Sequence, residues 1–139
     1  MPNRIALFLG ALLAALAVGL GAYGAHGLEN TLLKLGYEAD IVKRMDWFAT
    51  GVHYHLYHAL GILTAALIAE SASPTRWLRV APLLFLLGIL LFSGSLYTMT
   101  LTPASWRWLG AIVPLGGVAM ITGWICVAYG ALTSKSNHR

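Results

Sequence analysis

Four long apolar stretches set the terms on which this chain can fold: Ile5–Ala25, Trp47–Ala69, Trp77–Thr100 and Arg107–Leu132. A helix rises about 1.5 Å per residue, so some 20 residues cover the roughly 30 Å hydrocarbon layer of a bilayer. In lipid every backbone N–H and C=O must bond within the protein, so repeated spans of this kind read as helices. The balance of residues agrees. Of 139 residues, 58% are apolar and 10% are charged, against about a quarter charged in a soluble domain. The expected architecture is all-α: one integral membrane domain over residues 1–139, with four transmembrane helices in a compact up-down bundle.

The first span follows Arg4 and has the look of a signal peptide at its ends, but its apolar core is longer than the usual 7–15 residues or so. Within it small residues recur four apart, at Gly10/Ala14, Ala17/Gly21 and Gly21/Ala25. That spacing lets another helix approach closely. The segment His26–Asp46 is the longest polar stretch. Leu28, Leu32 and Leu35 repeat at helical spacing, as do Ile41, Met45 and Phe48, with Gly36 between them. This predicts short amphipathic helices at the interface between spans 1 and 2. Trp47, Trp77, Trp106 and Trp108 fall at span ends, where indoles sit at headgroup level. Pro82 is expected in the first turns of the third span, where proline costs least. Polar turns are expected at Glu70–Arg76, around Pro74, and at Leu101–Trp106, around Pro103, with a polar tail from Ser134. Pro114 with Gly116 and Gly117 is expected to kink the fourth span or open it.

The net charge of +4 comes from 9 basic and 5 acidic residues. No basic cluster interleaved with aromatics occurs, so nucleic acid is not an expected partner. A basic surplus suits flanks that face anionic lipid. Four spans put both termini on one side. Arg4, Arg76, Arg79, Lys135 and Arg139 fall there, against Lys34, Lys43, Arg44 and Arg107 opposite, which points to cytoplasmic termini. Cys126 is the single cysteine, so it has no intrachain disulfide or Cys-x-x-Cys partner. No phosphate-binding loop, dinucleotide fingerprint or nucleophile elbow is present.

The chemical interest lies in W-F-A-T-G-V-H-Y-H-L-Y-H-A-L-G, Trp47–Gly61. It places His53, His55 and His58 in a membrane span, where titratable groups are costly and point to function. On a helix His55 and His58 share a face, while His53 points about 160° away from His55. Three imidazoles on one regular helix therefore cannot converge on one ion. His55 and His58 could share a metal only with ligands from other helices. His26 closes the first span and lies level with Trp47. His58 is about 16 Å deeper by helical rise. Spans 3 and 4 carry no histidine, so a haem has no facing pair of ligands. Buried His, Tyr, Ser and Thr more often bond across helices, and Tyr54, Tyr57, Tyr97, Ser93, Ser95 and Thr98 are the available partners. Tyr23, Tyr97, Trp106, Trp108 and Trp124 could line a quinone or lipid cleft, with Trp124 the deepest.

Taken together, G-A-Y-G-A-H-G-L (Gly21–Leu28), the Trp47–Leu60 run, L-F-S-G-S-L-Y (Leu91–Tyr97) and the P-L-G-G…G-W stretch from Pro114 to Trp124 resemble the YgdD-like family of small four-span inner-membrane proteins of unknown function. The resemblance covers nearly the whole chain. It implies a four-helix membrane bundle in the bacterial inner membrane and brings no activity, cofactor or substrate. It weights the histidines toward His26 and His58, with Tyr54 and the Ser93-Gly94-Ser95 run matching too. Three readings follow. In the first the chain is a structural or accessory membrane protein without catalysis, packing against itself or a partner complex, with the bilayer as its medium and no cofactor. In the second it binds a metal, haem or quinone near His58, with His26, Tyr54 and Trp124 as candidate ligand contacts and His55 with His58 as candidate metal ligands. In the third it is a small oligomeric channel or transporter built on the kinked fourth span, with Gly116-Gly117 as the opening.

Overall fold

The computed structural model describes residues 1–71 and 75–134, with the backbone alone at Ser71. The turn around Pro74 and the tail beyond Ser134 lie outside the described residues. Helix α1 is Asn3–His26, α2 Leu28–Lys34, α3 Ile41–Ser71, α4 Arg76–Gly88, α5 Gly94–Leu101 and α6 Val113–Thr133. Three irregular pieces complete the path: a 3-10 turn at Glu38–Asp40, a π turn at Ile89–Ser93 and a 3-10 stretch at Ala104–Ala111. Four helical stretches are long and apolar enough to cross a membrane: Asn3–His26, Glu38–Glu70, Arg76–Leu101 and Ala104–Thr133.

Two short helical pieces, α2 and the Glu38–Asp40 turn, lie between α1 and α3. Helix α2 stops where Gly36 takes φ +77°. The Gly36 and Tyr37 amides then donate back to the Leu33 and Leu32 carbonyls, each at 3.0 Å. This closure needs a left-handed residue, which glycine supplies without steric cost. The amphipathic run Ile41–Phe48, by contrast, is continuous with the second span. Nothing between Ala39 and Gly51 breaks a helix, so α3 runs 31 residues. That is about 46 Å, well beyond the hydrocarbon layer, and its first turns stand outside it.

The four spans pack as a series. Helix α1 lies chiefly on α3, α3 on the α4–α5 rod, and that rod on α6. The first span is therefore at the edge, with 17% of its apolar window buried. Ala6, Gly10 and Ala17 face inward. A Cβ on Gly10 would stand 2.9 Å from the Leu63 side chain and 3.1 Å from the Ala59 carbonyl oxygen. The small residues of span 1 thus admit the chain's own second span.

The third and fourth spans meet through a matched repeat. Leu78, Phe85 and Phe92 on one rod lie against Gly130, Gly123 and Gly116 on the other. Both series step by seven residues, in opposite directions. A Cβ on each glycine would stand 2.5–2.7 Å from the facing residue, so any larger side chain would force the spans apart. Phe85 is fully buried at the centre, within a cluster that includes Ile62, Ala81, Ile89 and Met120.

Pro82 is buried in the second turn of α4, within the first turns expected for it. The other proline differs from expectation. Pro114 does not kink the fourth span; it occupies the first turn of α6, where its missing N–H is not needed. The break falls at Ile112, between the 3-10 stretch and α6. Gly116 is closed against the Phe92 backbone, whereas a Cβ on Gly117 would meet nothing nearer than 4.0 Å.

Candidate functional site

The best-bonded polar side chain is one that the sequence offered only as part of a polar loop. Arg44, in the first turns of α3, is 2% exposed. Its Nη1 donates to the carbonyls of Met99 at 3.1 Å, Thr100 at 2.7 Å and Thr102 at 2.9 Å. Its Nε donates to Asp40 at 2.8 Å, and its guanidinium lies 3.6 Å over the Tyr37 ring. The last carbonyls of a helix have no partner within it and carry partial negative charge. Arg44 supplies donors and opposite charge to the end of the third span. The Thr100 hydroxyl is shared between the Leu96 carbonyl and, at 3.2 Å, the Arg44 carbonyl. Asp40 is also paired with Arg107. Arg107 and Lys43 lie 5.8 and 5.2 Å from the Trp47 ring, so Trp47 sits among cations as an interfacial indole should.

Deeper in α3 the histidines separate. His53 is exposed and stacks on Tyr57, centroids 6.3 Å apart. His55 is buried and turns toward the third span, its Nδ1 3.3 Å from the Tyr97 hydroxyl. Its Nε2 is buried without a partner, as is the hydroxyl of Ser93 in the π turn. His58 turns toward the third and fourth spans. Its Nδ1 lies 2.7 Å from the Tyr54 carbonyl one turn earlier. Its ring is 5.5 Å from Phe85, 6.2 Å from Trp124 and 5.9 Å from Tyr54, the last nearly parallel. Tyr54 stacks in turn on Phe92 at 4.5 Å, and Phe85 meets Trp124 at 5.0 Å.

These rings border a groove of about 460 Å³ between α3 and α6, lined by Tyr54, Tyr57, His58, Phe92, Met120 and Trp124 among others. The structure thus brings together three of the expected residues, His58, Tyr54 and Trp124. It leaves out His26, which ends α1 in an exposed position. Among the described residues no three of His, Cys, Asp and Glu stand close enough to share a metal ion. The expected hydroxyl network is also thinner. Thr98 donates to its own Gly94 carbonyl at 2.8 Å, and Tyr54 serves His58 through its backbone.

Fold and site together define a multi-pass helical membrane protein with aromatic and imidazole groups held at depth between its spans. The chain belongs to the DUF423 family, described as a protein of unknown function, whose pattern matches residues 20–117. It is 45% identical over 129 residues to the UPF0382 membrane protein YwdK of Bacillus subtilis, covering 93% of this chain and 97% of that one. It is 38% identical to a UPF0382 membrane protein of Haemophilus influenzae, covering 98% and 99%. It is 33% identical to the UPF0382 inner membrane protein YgdD of Escherichia coli K12, covering 97% and 95%. No solved structure matches the chain.

Proposed function

We propose that this chain is an accessory protein of the bacterial inner membrane without catalysis of its own, with both termini in the cytoplasm, acting by association with a second copy or with a partner membrane complex. The observation that carries this is the outer face of α1. Ala11, Ala15, Gly19 and Ala22 are all exposed there, and a Cβ on Gly19 would meet nothing within 4 Å. A stripe of small residues on the edge helix suits close approach of another helix, which in lipid supplies packing energy. The test is a crosslinking or dilution assay of association in lipid nanodiscs. Gly19→Leu should weaken association while leaving thermal unfolding unchanged. A wild-type protein that stays monomeric at every concentration and carries no other protein from the membrane would overturn the reading.

The groove favours a second reading, in which the chain holds a hydrophobic ligand beside His58. A single imidazole with no second ligand facing it suits hydrogen bonding better than a metal or haem. Elemental analysis and an optical spectrum of gently purified protein, wild type beside His58→Ala, check this; a stoichiometric metal or a haem band lost in the variant would reverse the preference.

A further inference from the structure

A carbonyl oxygen only accepts hydrogen bonds, so the 2.7 Å contact to the Tyr54 carbonyl puts a proton on Nδ1 of His58. An imidazolium at this position would have no counter-charge on its own helix within reach. Asp46 and Glu70 are each twelve residues away along α3, about 18 Å by helical rise. The carboxylate of Asp40 and the cations Arg44 and Arg107 are joined to one another at the far end of the same helix. The third and fourth spans face His58 with Phe85, Phe92, Met120 and Trp124. The neutral ring leaves a lone pair on Nε2. That atom has no hydrogen-bond partner among the described residues, and the ring that carries it lines the groove. The helix has fixed the tautomer, and with it the kind of partner the groove takes.

We propose that the His58 groove binds a membrane-soluble phenol or hydroquinone, with the ligand hydroxyl donating to Nε2. The inference rests on the second reading above, that the groove is occupied. The walls suit a flat ring: Tyr54 and Phe92 are stacked on one another at one side and Trp124 stands at the other. Gly117 leaves the space open, since even an added Cβ would be 4.0 Å from Phe92. The rim is polar as well. The Tyr54 and Tyr57 rings line the groove, and their hydroxyls have no partner among the described residues. A second ligand oxygen could bond to either. An oxidised quinone offers acceptors alone, which would set two lone pairs against each other at Nε2.

The test compares three probes on one ring skeleton: a short-chain benzohydroquinone, its dimethyl ether and its quinone, titrated under argon into the full chain in nanodiscs. Calorimetry should show the hydroquinone binding about five- to tenfold more tightly than the ether, the size of one well-made hydrogen bond. His58→Phe should bring that ratio to one, and Gly117→Leu should remove binding of all three. Nitrogen-15 spectra of histidine-labelled protein should show His58 protonated at Nδ1. Equal affinity for hydroquinone and ether in the wild type, or a preference for the quinone, would overturn the donor requirement while leaving the groove occupied. Absence of binding by every probe would remove the ligand reading itself.

Discussion

At position 44 a charge is almost wholly buried in the protein, and the surrounding backbone explains why it is stable there. Three main-chain carbonyls and one carboxylate surround the guanidinium, and an aromatic ring lies beneath it. Arg44→Met would leave all four acceptors short of donors. The expected loss is about 3 kcal/mol, the scale for breaking a buried ion pair by removing one member, read as a lower melting temperature in a fixed detergent. The Arg44 hydrogen bond, with the charges of Arg44 and Arg107, holds the Asp40 carboxyl below its ordinary range. A lowered folded value means stability that is present in full above the unfolded value, near 3.9, and is lost as the pH falls through the folded one. The part of the melting temperature that Asp40 supplies, read as wild type minus Asp40→Asn, should therefore hold steady from about pH 8 to 5 and shrink below about pH 4. Gly36→Ala, which forces a side chain into the left-handed region, should cost about 1 kcal/mol in the same measurement. The carbonyl cage was not legible at Arg44, because those partners lie 55 to 58 residues later, and a carbonyl has no letter in the sequence.

Between elements, the seven-residue repeat decides how spans three and four sit. Gly116→Ala should destabilise the chain by about 1–3 kcal/mol, the usual cost of overpacking. Gly19→Ala, in open space, should be neutral or slightly stabilising. Paired melting curves check both. The repeat was in plain view and yet not read, since it belongs to neither span alone. Gly116, Gly123 and Gly130 acquire meaning only against Leu78, Phe85 and Phe92, whereas Gly116-Gly117 beside Pro114 looks locally like a kink. The small residues of span 1 were read correctly as a packing face, because that signal is complete within one helix. The π turn at Ile89–Ser93 had no local signature beyond two serines about a glycine. Such turns recur at functional sites, and this one supplies both Phe92, a wall of the groove, and the unpaired Ser93 hydroxyl.

Across the whole molecule, the four long apolar helical stretches end within a few residues of those read from hydropathy at most ends, because length and the absence of charge are long-range averages. The larger departures, at Ile41 and Ala104, come where helix continues past the apolar stretch. The candidate site was half legible: His58, Tyr54 and Trp124 converge, but His26 does not, since span depth separates it from the groove. The proposed orientation makes a prediction at this scale. A fluorescent protein fused to the C-terminus should glow, and alkaline phosphatase fused there should be inactive; the reverse pattern would invert the topology. The serial packing also bears on how the protein is made. Spans leave the ribosome in the order α1, α3, α4–α5, α6, and each one docks chiefly on the span delivered just before it. The newcomer meets its seat already in the bilayer. When the end of the third span arrives, the guanidinium that receives it has been synthesised some fifty residues earlier. Assembly can therefore proceed as the chain is delivered, with no span held waiting for a later one.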